Sequence, residues 1–339
     1  MAVLPDDILT EVFSYLPAKS VRCFRSLSRS WRATLSSASF LDLHRRRANR
    51  PGQLKVFFSP TDKMWDQDGP SSYFYTSQPG GVPATKLTPH RFRWPAPLTR
   101  PLHGLVLVRC AITGYHVYNP STGEALALPD TAPPLKMGNY VPFYVKDIAY
   151  GLGYCSVTGK YKVVRIFSGP RAPTRCEVLV LGGRPYWNCL AQLRAGWIVD
   201  EKNPGVFLNG RLHFLCHDGR ILSFDVSSET FGALEPPPPN PNPNPNPPVH
   251  ASARMTELDG CLCVSYANIH QGLYHIWVLR DYAKPQRRWE QLCRIDPMAW
   301  TESNRKQLQS SWMAPLGTYD GENGRGGSCW MRVLARCLL

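Results

Sequence analysis

The apolar positions of this chain keep two rhythms, and the change between them falls near residue 54. In the first stretch Ile8, Leu9, Val12, Phe13 and Leu16 recur at helical spacing on one stripe, and Pro17 stops the run. Leu4 and Pro5 precede Asp6 and Asp7, which puts proline in a first helical turn and two acids at the positive end of the helix dipole. A second segment, opened by Ser20, repeats the pattern with Val21, Phe24 and Leu27, and a third carries Trp31 and Leu35 before Phe40. The spacing predicts three short amphipathic helices. A module this short cannot bury all of those apolar faces within itself, so that surface meets either the rest of the chain, as a helical cap on a second domain, or a partner.

Beyond residue 54 the period becomes alternating, in stretches such as Leu105–Val108, Tyr161–Phe167, Cys176–Leu181 and Ile276–Leu279. Turn signals separate them: Thr158-Gly159, Asn209-Gly210, Asp218-Gly219 and Asp259-Gly260. This predicts an all-β region. Laid over itself at an offset of 106 residues, the chain brings Gly104, Val106, Val108, Cys110, Tyr118, Asn119, Ser121 and Leu128 onto Gly210, Leu212, Phe214, Cys216, Phe224, Asp225, Ser227 and Leu234. A partial third copy begins about fifty residues further on, at Gly260, Leu262 and Val264. A four-stranded unit of about fifty residues is the period of β-propeller blades, and the length accommodates about five or six of them.

At 339 residues and 43% hydrophobic composition the chain can bury a sizeable core, as one small domain plus one large one. Acids stand where a signal peptide would have a basic region, and no apolar run reaches the length of a membrane span, so the expected location is the cytoplasm, the nucleus or both, with no membrane partner. The eleven cysteines are odd in number, scattered and without a C-x-x-C pair, which predicts reduced, mostly buried thiols. His213 and His217 are four apart inside a strand pattern and would not share a metal-facing side, so no metal and no cofactor is expected.

The net charge of +14 raises nucleic-acid binding as an alternative, with Trp65, Tyr73, Phe74, Tyr75 and Trp94 as stacking platforms, although aromatic residues in blades are more often core. The excess is partly local. Residues 1 to 55 hold ten basic side chains against four acids, which an acidic protein partner fits as well as a polyanion does. The run His44 to Arg50 reads as a solvated helix end before it reads as a nuclear import signal. Gly153 to Lys160 invites a phosphate-loop reading but has one residue too many between its glycines, and Tyr161 where a magnesium-binding hydroxyl belongs; a hairpin turn explains it. There is no G-x-S-x-G elbow, no H-E-x-x-H helix and no acidic two-metal cluster, so no enzyme is expected.

Residues 4–32, from Leu-Pro-Asp-Asp-Ile-Leu-Thr-Glu-Val-Phe through Leu-Ser-Arg-Ser-Trp-Arg, resemble an F-box almost position by position. The resemblance implies a substrate-receptor subunit of an SCF-type cullin-RING ubiquitin ligase. In that family the Leu-Pro pair and the following apolar positions dock on the Skp adaptor, which links to a cullin. Carried over, Leu4, Pro5, Ile8, Leu9, Val12, Leu16 and Pro17 would contribute to the adaptor interface, with Val21, Phe24, Leu27 and Trp31 divided between interface and module core. Ser26 and Ser28 stand where the family often has cysteine, a small-for-small change.

The β region resembles the F-box-associated domain of plant F-box proteins. Val117-Tyr118-Asn119-Pro120-Ser121-Thr122-Gly123, Lys160–Val164, Gly205–His213, Ile221–Asp225 and Ile276–Tyr282 look like its landmarks in its order, and with the F-box the likeness covers residues 4 to 316. The expected architecture is α+β and multidomain. A three-helix F-box (1–45) is followed by a connecting segment with the first β elements (46–100), then by an all-β, propeller-like domain (101–316) that binds an unidentified target protein. Two features depart from the family. The Pro/Asn-rich insert 236–248 would make a stiff arm of about 40 Å at ~3.1 Å per residue and reads as a neutral loop expansion. The tail 317–339 is atypical and implies an incomplete last blade or an open ring.

Overall fold

The computed structural model describes residues 5–48, 56–58, 71–77, 85–93, 95–110, 113–129, 147–169, 172–184, 186–190, 196–238, 253–268, 273–284, 287–296, 311–320 and 326–334. Leu4, Trp65, Trp94 and most of the Pro/Asn insert lie outside them, and Tyr73, Phe74 and Tyr75 are described only as strand backbone. The chain divides into two compact units: one holds the N-terminal helices and the first two sheets, the other nearly everything from residue 136 on.

The helical module contains four helices where the spacing predicted three: α1 (Asp6–Ser14), α2 (Ala18–Phe24), α3 (Arg29–Thr34) and α4 (Ala38–Ala48). Sequence periodicity ran the last two together. The break between them comes from Ser37, whose hydroxyl accepts the Phe40 amide at 3.2 Å and starts a new helix. Ser28 starts α3 in the same way, accepting the Trp31 amide at 3.0 Å. Pro5 and Pro17 stand at the N-caps of α1 and α2, so α2 opens two residues before Ser20.

The rest is antiparallel sheet. The first unit continues with a three-stranded sheet, β1 (Val56–Phe58), β2 (Ser71–Ser77) and β3 (Thr85–Arg93), and a four-stranded one, β4 (Pro95–Pro97), β5 (Val106–Cys110), β6 (Gly114–Asn119) and β7 (Glu124–Ala127). The second unit carries three four-stranded sheets in chain order. They are β8 (Asp147–Cys155) to β11 (Asn188–Cys189) through β9 (Lys160–Gly169) and β10 (Ala172–Val180); β12 (Val206–Leu208), β13 (Arg211–Leu215), β14 (Ile221–Asp225) and β15 (Phe231–Leu234); and β16 (Ala253–Leu258), β17 (Cys261–Asn268), β18 (Leu273–Arg280) and β19 (Arg288–Ile295). A hairpin, β20 (Ser311–Asp320) with β21 (Gly326–Leu334), follows, and the sequence boundary at 317 falls inside β20. Four meandering four-stranded sheets make the β region propeller-like; among the described residues no closed barrel is formed.

The internal repeat has a structural cause. The 106-residue offset lays β5, β6 and β7 on β13, β14 and β15, and the turn after β6 is built like the turn after β14. Asn119 Oδ1 accepts the amides of Ser121 and Thr122 at 3.0 and 3.2 Å, and Asp225 Oδ1 accepts those of Ser227 and Ser228, both at 3.0 Å. A short side-chain acceptor at that position closes the turn without help from the sheet. The Asn209-Gly210 and Asp259-Gly260 pairs have positive φ at both residues, as a two-residue hairpin turn requires.

Within the second unit the sheets are fastened by backbone contact and buried polar groups. Gly205 N–H donates to Tyr150 O at 2.8 Å, and Gly151 and Gly205 form a parallel bridge between β8 and the approach to β12. A Cβ on Gly205 would stand 2.6 Å from the Phe214 ring. Asn203, buried, accepts the Met255 amide at 3.1 Å and donates to Asp200 at 2.6 Å and to Ala253 O at 3.1 Å, tying the approach to β12 to β16. Lys162, also buried, donates from Nζ to Val226 O and to the Glu229 carboxylate, both at 2.7 Å. Apolar layers fill the spaces between: Val164, Ile166 and Val178 meet Leu212, Phe214 and Phe224, and Leu215 and Ile221 meet Leu262, Val264 and Leu279.

His213 is fully buried, donating Nδ1–H to Val206 O at 3.1 Å and accepting the Tyr282 hydroxyl at Nε2, 2.6 Å away. Burial pushes its pKa down to about 4, with a smaller push from Arg211 against the pull of the Val206 bond.

Two outcomes follow for stability. Gly205→Ala should cost about 1–3 kcal/mol in chemical denaturation, because the new methyl overlaps the Phe214 ring; an unchanged midpoint would mean the two sheets do not approach this closely. As pH falls below about 6.5 the unfolded imidazole takes up a proton that the folded one refuses until about pH 4, so stability present above pH 6.5 is progressively lost across that window. Denaturation midpoints of the wild type and His213→Gln across pH 4–7 should show a steeper loss in the wild type.

Candidate docking surface

The helical module has little room for a core. Val21, Leu35 and Phe40 are its buried apolar residues, with Phe13, Leu16, Phe24 and Trp31 packed around them. Phe13 stacks on Phe24 at a centroid distance of 5.0 Å and takes the edge of Trp31 at 4.9 Å. α4 clamps α1 from the other side: His44 Nε2–H donates to Leu16 O at 2.8 Å, and Arg47 reaches the Glu11 carboxylate, the Ser14 hydroxyl and the Tyr15 ring face. Arg45 and Arg46 both pair with Asp42, and Arg46 first, then Arg45, hold its carboxyl below the usual carboxylate range. Of the basic run that read as a solvated helix end, Arg45, Arg46 and Arg47 are engaged with acids of the same module, and Arg50 lies outside the described residues.

This packing divides the α1 stripe. At about 100° per residue, Leu9 and Phe13 lie roughly 100° further round the helix than Ile8 and Val12, and Tyr15 falls within about 20° of Ile8. Phe13 reaches the core. Ile8 and Val12 are each 48% exposed and Tyr15 57% exposed, an apolar line at i, i+4 and i+7. Among the other residues named from the sequence, Pro5 and Pro17 are exposed, Leu9 and Leu16 half-buried, and Leu27 is 62% exposed. Val21, Phe24 and Trp31 belong to the module core. Tyr15 was not part of the stripe read from the sequence, which counted aliphatic residues and Phe13; its i+7 spacing from Ile8 was the available signal. Fully burying an exposed aliphatic side chain is worth about 1.5–3 kcal/mol, so covering the half-exposed Ile8 and Val12 offers a partner about that much from the two together, and Tyr15 adds to it.

No ligand cluster of comparable substance stands out elsewhere in the described residues. Asp200, Glu201 and His217 bring ligand atoms within 4.8 Å of one another, but the Asp200 carboxylate already accepts the Lys202 amide at 2.9 Å and the Asn203 amide group at 2.6 Å, fastening its own loop. His213 is buried in β13, whereas His217 is exposed in the turn that follows the strand, so the two rings do not share a side; strand alternation alone would have put residues four apart on one face. The nine cysteines whose side chains are described are free, and burial raises the Cys176, Cys216 and Cys263 thiols, the last two to about 12.

Residues 2–43 match the F-box domain, and residues 49–317 match the F-box associated beta propeller domain. The chain is therefore a member of the F-box family that carries an F-box-associated domain. Three of its relatives come from Arabidopsis thaliana. F-box protein CPR1 is 26% identical over 317 residues, 83% of this chain and 70% of CPR1. F-box protein At3g07870 is 24% identical over 313 residues, 82% of this chain and 69% of that one. A third Arabidopsis F-box sequence is 31% identical over 256 residues, 69% of this chain, and this chain spans 59% of its length. Among solved structures, TolB from Acinetobacter baumannii overlays at TM-score 0.42 with 12% identity, over 83% of this chain and 62% of that one. The SapL1 lectin overlays at 0.42 with 10% identity, over 84% and 94%. Likenesses this loose carry no argument.

The division into core and surface has a direct consequence for stability. Leu35→Ala should destabilise the helical module by about 2–5 kcal/mol, whereas Ile8→Ser and Val12→Ser should change its stability by no more than about 0.5 kcal/mol. Circular dichroism melts of the full chain and its variants read both; a large loss from Ile8→Ser would place that side chain in the core instead.

Proposed function

We propose that this chain is the substrate-receptor subunit of an SCF-type cullin-RING ubiquitin ligase. The helical module holds the Skp adaptor and through it the cullin, and the β region binds a target protein. The observation that carries the reading is the exposed Ile8–Val12–Tyr15 line, with Pro5 and Leu27, on a module whose small core is already filled by other side chains. Membership of the F-box family supports the identity of the partner. The β region supports the second half of the role, because sheets fastened by buried groups such as Asn203 and Lys162 hold their connecting loops in place for recognition.

On this reading the contribution to ubiquitin transfer is positional. Holding a target lysine near the charged conjugating enzyme raises its effective concentration, and no residue of this chain has to react. Ile8→Asp combined with Val12→Asp should lower adaptor affinity at least a hundredfold in co-purification and calorimetry while leaving the melting temperature of the chain unchanged. Undiminished binding by that folded double variant would refute the apolar docking surface.

A further inference from the structure

The stretch 198–203, which leads into β12, is paired rung by rung with the end of β13. Val199 and Cys216 form an antiparallel bridge, Asp200 N–H donates to Leu215 O at 2.8 Å, and His217 N–H donates to Ile198 O at 2.8 Å. The Val199 amide also donates to the buried Ser168 hydroxyl at 3.0 Å, which ties the stretch to β9. These rungs bring three side chains of metal-ligating type together. A carboxylate oxygen of Asp200, one of Glu201 and a ring nitrogen of His217 all lie within 4.8 Å of one another, with His217 Nε2 3.9 Å from Glu201 Oε2. No other group of three such side chains converges this closely among the described residues. The expectation of no metal rests on weighing His217 against His213 along β13; the side chains that stand beside His217 come instead from the connection before β12.

The bonds that fasten Asp200 to its own loop orient its carboxylate without exhausting it. Oδ1 accepts the Lys202 amide and Oδ2 the Asn203 amide group, whereas a carboxylate offers about four lone-pair sites. Arg254 stands 4.0 Å from Oδ2, which leaves the Oδ1 side for a cation. Hydrogen bonds of this kind hold a ligating carboxylate in one orientation in metal sites. The Glu201 and His217 side chains are 41% and 48% exposed, and they close on an ion by turning their own torsions above a backbone that is already fixed. We infer that Asp200, Glu201 and His217 form a three-ligand site for a divalent transition metal of the zinc class, which fastens the connection before β12 to the turn after β13. An imidazole with two carboxylates suits such an ion, whereas calcium and magnesium favour oxygen ligands alone. Three protein ligands leave a further position for water. The inference is independent of the receptor reading, because none of these residues belongs to the helical module.

The test is titration of the full chain, reduced and stripped of metal by a chelator, with cobalt and then zinc, beside Glu201→Gln and His217→Ala. Both substitutions fall on exposed side chains, so the metal-free variants should melt as the wild type does. Cobalt reports its ligands by colour: weak visible bands with nitrogen and oxygen, and a strong near-ultraviolet charge-transfer band with thiolate, which separates this site from the cysteines. The expected result is one equivalent of cobalt with visible bands and no thiolate band, displaced by zinc and held at least about tenfold more weakly by each variant. Zinc should also raise the melting temperature of the wild type and slow hydrogen exchange in 198–203 and 215–220, and each variant should lose both effects. Undiminished binding by the folded variants, a thiolate band alone, or no binding by the wild type would overturn the inference; the first two outcomes mean an adventitious ion only. If a variant melts lower without metal, the exchange map of the wild type decides, and zinc protection that misses 198–203 and 215–220 overturns the inference.

Discussion

The constraint on which this chain depends is the size of its helical module. Four helices of six to eleven residues enclose three fully buried apolar side chains, Val21, Leu35 and Phe40. Isolated helices this short are marginal, and their stability has to come from packing. The packing available is used on one side of α1, where Phe13 sits between Phe24 and Trp31, and on α4, where His44 and Arg47 reach back to α1. Arg47 covers one face of the Tyr15 ring, and Ile8, Val12 and Tyr15 all remain about half exposed. The surface that reads as a docking site is thus the geometric remainder of a core too small for its own apolar content.

The second unit meets a different constraint. Its sheets have extensive apolar layers, but a stack held by apolar contact alone could slide. Asn203, Lys162 and His213 are buried polar groups whose partners lie on neighbouring sheets, and each would lose hydrogen bonds if the sheets moved. Gly151 and Gly205 let two backbones come together where a side chain on either would collide with Leu212 or Phe214. Directional contacts of this kind fix position as well as adding stability, which suits the recognition role proposed for the loops.

Much of this was legible in the sequence because it is local. The F-box segment, the Asx-type turns at Asn119 and Asp225 and the positive-φ turns at Asn209-Gly210 and Asp259-Gly260 depend on residues within a few positions of one another. The fourth helix was not read, because a single serine hydroxyl at Ser37 decides between one long helix and two short ones. The split of the α1 stripe was only half legible: helical phase separates Ile8 and Val12 from Phe13, but which edge turns inward is decided by α2, α3 and α4. The partnerships of Asn203, Lys162 and His213 join residues some 50 to 70 positions apart and leave no trace in local periodicity.

The most direct test is hydrogen exchange of the full chain alone and mixed with the Skp adaptor, read by mass spectrometry peptide by peptide. The account predicts slowed exchange across residues 6–16 and around Leu27 on mixing, with the sheets from β8 to β19 unchanged. Protection confined to the β region, with α1 exchanging as fast as in the free chain, would contradict the claim that the helical module is the docking element.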